Sequence, residues 1–243
     1  MMKSEHIQKA DALNAEGRYQ QAAAECALGL EDLPNDSQEK ALALLTLGRL
    51  YNKLNHRDRI ECLRKAVEVS KVAFGEKHDK TAEAMGALGV ALSARGDYEE
   101  ADRIVEEATK LRCQASGVDT EQAADAYAEL GVMQMYQGRL KESETTLMRA
   151  MGIRSRNPGK SHPDYAVSLR HMASLRNTEG KLSLSEPLLV QSVDILERKL
   201  GKNHPEVAAS LDLLAAQQFE RQRPIEAEKN WKRVRDLLSK ALP

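Results

Sequence analysis

The sequence predicts an all-α chain, a solenoid of about six antiparallel helix pairs, and two observations support this fold class. The first is a repeat, because four glycines follow one another at steps of 42 residues: Gly75, Gly117, Gly159 and Gly201. The second is that apolar residues within each repeat recur at i, i+3 and i+4, the spacing of one helix face. A fixed period of roughly 20–50 residues is typical of stacked supersecondary units. Such a stack presents an extended surface and not one deep pocket, which favours a binding function.

Each repeat is predicted to hold two amphipathic helices, here called helix A and helix B. In the third pair, helix A covers about 78–95 and helix B about 98–114, with Gly96 ending helix A because glycine readily adopts a positive φ. The small residues Gly89 and Ala101 are expected to let the two helices cross closely, since large side chains there would push the axes apart.

No linker interrupts the repeat, so we expect one solenoid over residues 1–243. The predicted helix pairs lie at about 3–34, 36–74, 78–114, 120–156, 162–200 and 204–241. The unit that begins at Asp36 fits least well, because Gly48 lies one residue out of step with Gly89 and Asn55 stands where a turn glycine is expected.

The last two repeats carry further helix signals. Ser183 and Glu186 are spaced as a capping box, and Pro224 suits the first turn of the last helix. The last helix, about 224–241, is expected to close the stack with a polar outer face. Its predicted apolar stripe, in which Trp231 packs as a core residue, consists of Ala227, Trp231, Val234 and Leu238.

Composition excludes several classes of function. Thirty-six basic residues nearly balance 37 acidic ones, giving a net charge of −1, which argues against nucleic-acid binding. No apolar run approaches the ~20 residues needed to span a bilayer. Cys26, Cys62 and Cys113 have no metal-binding spacing and are expected to be reduced, packed thiols, which predicts a cytoplasmic protein.

Several short motifs carry a family resemblance. Residues 162–169 (HPDYAVSL) and 204–211 (HPEVAASL), the pair Leu88-Gly89 and the turn 96–98 resemble tetratricopeptide repeats, and the 42-residue step is similar to the repeats of kinesin light chains. The resemblance covers about residues 36–243. It implies a right-handed superhelix in which the A helices line the concave side and the B helices the convex side.

The concave side is where we expect a partner to bind. An apolar middle flanked by arginines predicts an extended or helical peptide with an apolar centre and at least one acidic residue. The alternative is that Val90, Val132 and Met135 only complete the core between repeats. The A-helix residues predicted to line the groove are Arg49, Asn52, Val90, Ser93, Val132, Met135, Arg170, Ser174, Asn177, Asp212, Ala216 and Phe219.

The family's better-known ligand sites do not carry over. Tetratricopeptide domains that clamp a C-terminal carboxylate use a Lys/Asn/Arg set, and the matching positions here are Leu45, Gly86, Ala128 and Arg170. Kinesin light chains carry paired asparagines before the small helix A residue, and those places hold Arg170-His171 and Asp212-Leu213. The resemblance therefore implies the repeat type and not a motor role.

No catalytic motif is present, so we expect neither an enzyme nor a cofactor or metal site. His78, His162 and His204 are the tempting set, but they occupy equivalent points on successive repeats. Neighbouring repeats lie on the order of 20 Å apart, which is too far for a shared ion. We expect these histidines to stand at helix starts.

The sequence therefore predicts a protein–protein interaction scaffold that binds a protein or peptide segment in its concave groove. The alternative is a self-assembling structural protein without a dedicated peptide ligand, because residues 1–121 carry an acidic excess and the remainder a basic one. The expected partners exclude nucleic acids and membranes. The expected assembly state is a monomer or a weak homo-oligomer.

Overall fold

A computed structural model describes residues 5–241, and in that range the chain forms twelve α-helices and no strand. The all-α fold class is confirmed, and within each unit neighbouring helices along the chain pack against each other. Residues 3–4, where the first predicted pair begins, and residues 242–243 lie outside the described range. The chain divides into two compact units, here called unit 1 (up to Gln137) and unit 2 (from Gly138 onwards).

Unit 1 contains three helix pairs and one further A helix. Helices α1/α2, α3/α4 and α5/α6 pack as pairs, and the A helices α3, α5 and α7 are successive neighbours. Their bounds are α1 Glu5–Ala15, α2 Tyr19–Gly29, α3 Gln38–Lys53, α4 Arg59–Phe74, α5 Asp79–Arg95, α6 Tyr98–Ser116 and α7 Glu121–Tyr136.

Unit 2 contains one B helix and two helix pairs, α9/α10 and α11/α12. Helix α8 is continued by one π-helical turn, Ser155–Gly159, which includes the cis peptide Asn157–Pro158. The helix bounds are α8 Leu140–Arg154, α9 Pro163–Thr178, α10 Leu182–Leu200, α11 Pro205–Glu220 and α12 Pro224–Ala241.

The A helices begin at side-chain caps that recur with the repeat. The Nδ1 atoms of His78, His162 and His204 each accept a hydrogen bond from the backbone N–H two residues later, at 3.1, 3.3 and 3.2 Å. The Thr120 hydroxyl caps α7 in a similar way, accepting from the backbone N–H of Ala123, three residues later, at 3.2 Å. Each cap satisfies one of the free N–H groups of the first helical turn, so these histidines stand at helix starts, as predicted.

The predicted capping box is wrong. Helix α10 begins at Leu182, one residue before Ser183, and its cap residue Lys181 makes no side-chain capping bond. Glu186 instead forms ion pairs with Arg221 and Arg223. Those pairs use the Glu186 carboxylate that the capping box would have needed. Pro224 does open α12, as predicted.

Small residues set the crossing of A and B helices in unit 1. A Cβ atom on Gly89 would overlap the side chain of Val105, and one on Gly48 would overlap Leu63. Ala101 is fully buried at the same crossing. The predicted close approach of the two helices is confirmed, and it rests on the missing side chain. The larger fully buried residues of this unit include Leu50, Leu63, Leu92, Val105 and Met133.

Unit 2 combines an apolar core with buried serines. Ser185 donates to the carbonyl of Ala173 at 3.0 Å, and Ser192 donates to that of Ala166 at 2.8 Å. Ser192 also lies 3.0 Å from Ser210, with either hydroxyl able to donate. These bonds join α10 to α9 and α11 while leaving the serine hydroxyls satisfied. The core around them includes Leu169, Leu189, Leu196, Val207, Leu211 and Leu214.

Candidate functional site

Unit 1 presents six of the predicted groove residues on three successive A helices. They are half-buried, except Ser93, which is 1 % exposed and whose hydroxyl has no hydrogen-bond partner. We call this set the A-helix face of unit 1. Its members are Arg49 and Asn52 on α3, Val90 and Ser93 on α5, and Val132 and Met135 on α7.

Arg49 links all three helices of this face. Its guanidinium donates to Glu83 of α5 at 2.7 Å and lies 3.5 Å from Glu129 of α7. Burial acts to lower the pKa of Arg49, but the charges of Glu129 and Glu83 outweigh it and raise the pKa. Arg49 is therefore a paired cation, although 43 % of its side chain remains exposed.

A second arginine is buried beside the first. Arg112 of α6 is 1 % exposed, and its guanidinium lies 3.6 Å from Asp79, 3.5 Å from Asp125 and 3.4 Å from Glu129. We call the four acidic residues around the two arginines the carboxylate cluster. Its members are Asp79, Glu83, Asp125 and Glu129.

The carboxylate cluster contains one more carboxylate than it has cationic partners. Lys80 also pairs with Glu83, at 2.8 Å, so four carboxylates meet three cations. The sequence analysis did not predict this cluster, because its residues match no catalytic motif. A signal was present: Asp79 and Glu83 are spaced i, i+4 on α5, and Asp125 and Glu129 repeat that spacing on α7. Residues with this spacing share a helix face.

A glycine makes room for Glu129. A Cβ atom on Gly86 of α5 would overlap the Glu129 carboxylate. In this enclosed position, burial raises the pKa of Glu129 to about 7, and the charges of Asp125 and Glu83 act in the same direction. Arg112 and Arg49 oppose the rise without cancelling it. The charge of the cluster thus changes by one near neutral pH.

Glu83 behaves in the opposite way within the same cluster. Burial acts to raise its pKa, but the charge of Arg49 and the hydrogen bond from Lys80 outweigh burial and lower the pKa. Glu83 is therefore ionised near neutral pH. The difference between Glu83 and Glu129 comes from their contacts, since Glu83 has two close cations of its own.

Unit 2 carries the other predicted residues on α9 and α11. Arg170 of α9 donates to the carboxylate of Glu206 at 2.8 Å and to its backbone oxygen at 3.3 Å, so it too is paired. Ser174 and Asn177 are half-buried on the same helix, and the Oδ1 atom of Asn177 is buried without a hydrogen-bond partner.

His171 follows Arg170 and is neutral. Burial lowers its pKa to about 3, and the neighbouring charges of Arg170 and Arg154 add to that effect. Its Nδ1 atom is buried without a hydrogen-bond partner. The neutral state of His171 was not predictable from the sequence, because its burial depends on packing against other elements.

The remaining predicted residues lie on α11 beside α12. Asp212, Ala216 and Phe219 are exposed, and Phe219 keeps 58 % of its surface accessible. The Trp231 indole N–H donates to Asp212 at 3.1 Å, and its ring centroid lies 5.7 Å from that of Phe219. Trp231 is only half-buried. The prediction that it packs as a core residue is therefore wrong, because no described helix covers that side of α12.

The predicted apolar stripe of α12 also needs correction. Ala227 and Val234 are buried as expected, but Leu238 is 45 % exposed and Leu237 is buried in its place. Leu237 and Val234 belong to the same core cluster, which also contains Leu211 of α11. In the last turn of α12, Leu237 therefore packs in the core, and not Leu238 of the predicted stripe.

The comparisons with known proteins agree with this architecture. A family model described as "Tetratricopeptide repeat" matches residues 55–114 and 122–198, which is more than half of the chain. The chain belongs to the tetratricopeptide repeat (TPR) family. A comparison with curated proteins found no match.

Several solved structures have a fold similar to that of this TPR chain. It is similar to nearly identical TPR-like repeats of a putative kinesin light chain from Podosopora anserina (TM-score 0.57, 21 % identity, 83 % of this chain and 95 % of that one). It is also similar to BtubC (BKLC) from P. vanneervenii (0.60, 12 %, 97 % and 92 %) and to a Rap protein complexed with Competence and Sporulation Factor (0.68, 14 %, 97 % and 74 %). The predicted resemblance to kinesin-light-chain-like repeats is confirmed. At these identities, the structures show the fold alone.

The cysteines of the TPR chain pack as predicted. Cys26 and Cys62 are buried, and burial raises the pKa of each thiol to about 12. Cys113 is half-buried, with its sulfur 3.2 Å from the Tyr127 hydroxyl. A thiol with a raised pKa is a poor nucleophile, because little of it is ionised near neutral pH. Cys26 and Cys62 therefore fit a role as core-packing residues and not as reactive thiols.

The described residues contain neither a metal-binding cluster nor a membrane-crossing helix. Among residues 5–241 there is no group of three or more histidine, cysteine or carboxylate side chains arranged to hold a metal ion. Within the same range, none of the helices combines the length and apolar character that a membrane crossing requires.

Proposed function

We propose that this TPR chain is a protein–protein interaction scaffold, acting by binding and not by catalysis, and that the A-helix face of unit 1 holds a partner segment. The fold suggests a scaffold. A structural neighbour, the Rap protein, was solved in complex with Competence and Sporulation Factor, which supports binding of a second molecule by this fold. The buried thiols of Cys26 and Cys62 support a cytoplasmic location.

The observation that carries the proposal is an apolar stripe that continues the carboxylate cluster along two helices. On α5, Glu83 and Val90 are seven residues apart and share a face. On α7, Val132 lies at i+3 from Glu129, and Met135 lies at i+3 from Val132. The half-buried side chains Val90, Val132 and Met135 leave apolar surface for a ligand, and a methionine adapts to irregular contacts.

The pairing of Arg49 changes the charge expected of the ligand. The sequence predicted an acidic residue in the bound segment, on the basis of Arg49 and Arg170. Both arginines already hold carboxylates of this chain, Glu83 and Glu206. An acidic ligand would have to displace them, whereas a basic side chain would meet the carboxylate cluster, whose net charge is negative when Glu129 is ionised. We therefore propose a segment with an apolar centre and a flanking lysine or arginine.

Synthetic peptides test this proposal. Twelve-residue peptides with a leucine-valine centre are flanked by either two lysines or two glutamates, and their binding is followed by fluorescence anisotropy. The lysine-flanked peptide is expected to bind more tightly. Val132→Glu should weaken its binding at least tenfold, about 1.4 kcal/mol, because a charge replaces apolar contact surface.

A matched control variant tests whether any loss of binding is specific to the A-helix face. Val72 is a 72 % exposed valine on the B helix α4, so Val72→Glu makes the same chemical change away from the A-helix face. This variant should bind like the wild type, and circular dichroism checks that both variants are folded. Equal binding by Val132→Glu and wild type would overturn the site, and preference for the glutamate-flanked peptide would overturn the charge assignment.

A further inference from the structure

One face of the last described helix pair, α11/α12, is uncovered, whereas the corresponding face of α9/α10 is covered by α11. We call the uncovered face the end face. It consists of Asp212, Ala216 and Phe219 on α11 and of Trp231 and Leu238 on α12. It contains the only tryptophan and one of the two phenylalanines of the chain. Phe219 and Leu238 are 58 % and 45 % exposed, and the Phe219 and Trp231 rings contact each other.

The residues that correspond to Trp231 and Leu238 in the preceding repeat are covered by a neighbouring helix. One step of 42 residues earlier, Leu189 stands at the position of Trp231, and Leu196 stands at the position of Leu238. Both leucines are completely buried, with 0 % exposure. In each case the apolar residue is retained at the end face, although no described helix covers it. Exposed aromatic and apolar side chains grouped in this way are typical of interaction sites.

The helix that covers the earlier position defines the expected shape of an occupant. Leu189 shares a core cluster with Leu214 of α11, and Leu196 shares another with Val207 and Leu211 of the same helix. Val207, Leu211 and Leu214 follow the spacing i, i+4, i+7. One amphipathic helix thus covers both leucines, and a helix with the same spacing fits over Trp231 and Leu238.

The charge of the occupant follows from the same comparison. Arg170 of α9 pairs with Glu206, the residue directly before Val207. Asp212 stands one 42-residue step after Arg170 and has the opposite charge. Its position is held by the hydrogen bond from Trp231. An incoming helix in the register of α11 would therefore place its residue corresponding to Glu206 beside Asp212, where a lysine or arginine is complementary.

We propose that the end face docks an amphipathic helix of a partner protein, in which a basic residue directly precedes an apolar i, i+4, i+7 stripe. The helix extends the stack of unit 2 by one A helix. This continues an interface that the chain already makes between α10 and α11, with the sign of one ion pair reversed. The inference does not rest on the A-helix face of unit 1.

The probe is a synthetic peptide with the sequence of α11 and the change Glu206→Lys. A lactam bridge on the side opposite the apolar stripe holds it helical, because a free helix of this length is marginal in water. The peptide contains no tryptophan, so the emission of Trp231 reports on the end face alone. Saturable binding with a blue shift of that emission is expected.

The charge assignment is tested by two changes of sign. The peptide that keeps glutamate should bind roughly five- to tenfold more weakly than the lysine peptide, because its carboxylate faces Asp212. The variant Asp212→Arg should reverse this preference. A preference that stays the same in Asp212→Arg would overturn the proposed register.

The location is tested with matched variants. Phe219→Glu and Leu238→Glu should each weaken binding of the lysine peptide at least tenfold. Val190→Glu, at a 51 % exposed position on α10, should leave binding unchanged. Absence of binding and of an emission shift for both peptides would overturn the proposal. A doubled mass in light scattering without peptide, lost in Phe219→Glu, would assign the face to a second copy of this chain instead.

Discussion

Glu129 and His171 stand at the same position of successive repeats, 42 residues apart, and burial drives both toward the neutral form. The pKa of the acid is raised to about 7 and that of the base is lowered to about 3. The next repeat has Leu213 there. Removing a charged group from water is costly unless partners replace the water, and this position is enclosed in each unit. The position thus favours neutrality, whatever residue type occupies it.

The titration of Glu129 can be measured directly. The ¹³C shift of its carboxyl carbon should have a titration midpoint near pH 7, whereas the midpoint of Glu83 should lie below 4.5, the usual pKa of a glutamate. Since the folded-state pKa of Glu129 is raised, its contribution to stability is complete below pH 4.5 and is lost as the pH rises through 7. The loss amounts to about 3 kcal/mol and should disappear in Glu129→Gln. A midpoint near 4.5 would contradict the assigned burial.

The acid sensitivity of His171 has the opposite sign. Its folded-state pKa lies below 6.5, the usual pKa of a histidine, so its contribution to stability is complete above pH 6.5 and is lost as the pH falls toward 3. At pH 5, the unfolding free energy should have dropped by about 2 kcal/mol. His171→Leu, which copies Leu213, should remove that drop. Urea unfolding of the wild type and of His171→Leu at pH 5 and pH 8 measures the drop. The prediction would be refuted if the unfolding free energies of the two proteins differed by the same amount at both pH values.

At the scale of elements, α3 shows how the repeat absorbs an irregular spacing. Its cap residue is Ser37 and not Asp36, and Gly48 and Asn55 also lie one residue later than a 42-residue step predicts. Leu63 on α4 is back in step with Val105. The close contact of Gly48 with Leu63 nevertheless matches that of Gly89 with Val105. The longer α3–α4 connection, residues 54–58, lets α3 shift without losing this contact.

The turns between A and B helices require a positive φ whatever residue occupies them. Gly180 has φ +73°, and Gln222, one repeat later, has φ +59°. A residue with a Cβ atom pays roughly 1–2 kcal/mol for this conformation. Gln222→Gly should therefore raise the unfolding free energy by up to about 1 kcal/mol, and Gly180→Gln should lower it by a similar amount. Thermal unfolding of both variants measures the effect, and changes of the same sign would contradict the explanation.

At the scale of the whole molecule, each unit has its own apolar core. The core cluster of unit 1 includes Leu50, Leu63 and Leu92, and clusters in unit 2 include Leu189 and Leu196. A repeat protein is stabilised by each repeat and by contacts with its neighbours, not by one central core. Damage to one cluster is therefore expected to remain local.

Leu63→Ala and Leu189→Ala form a matched pair for this expectation. The two leucines occupy the same repeat position, and both are 0 % exposed. Each substitution should cost about 2–5 kcal/mol where it is made, because it leaves a cavity. In hydrogen exchange, Leu63→Ala should expose chiefly α3 to α5, and Leu189→Ala chiefly α9 to α11. Uniform loss of protection over residues 5–241 in either variant would show a single cooperative unit instead.

The sequence alone determined the repeat, the helix pairs, the capping histidines and the small residues at the crossings. These features depend on contacts within one repeat, where the 42-residue step and helical spacing identify each position. Only the tertiary structure decided which charges meet. Arg49, Arg112 and Glu129 come from different helix pairs, and the pairing of their side chains follows from how α3, α6 and α7 pack.

Tertiary structure also decided which apolar residues are covered. Trp231 and Leu238 occupy positions that are buried one repeat earlier, and spacing alone therefore predicts burial for them. Burial depends on a neighbouring helix, and in residues 5–241 no helix lies over that side of α12. A repeat pattern thus determines which side of a helix is apolar, while the presence of the next helix decides whether that side is core or binding surface.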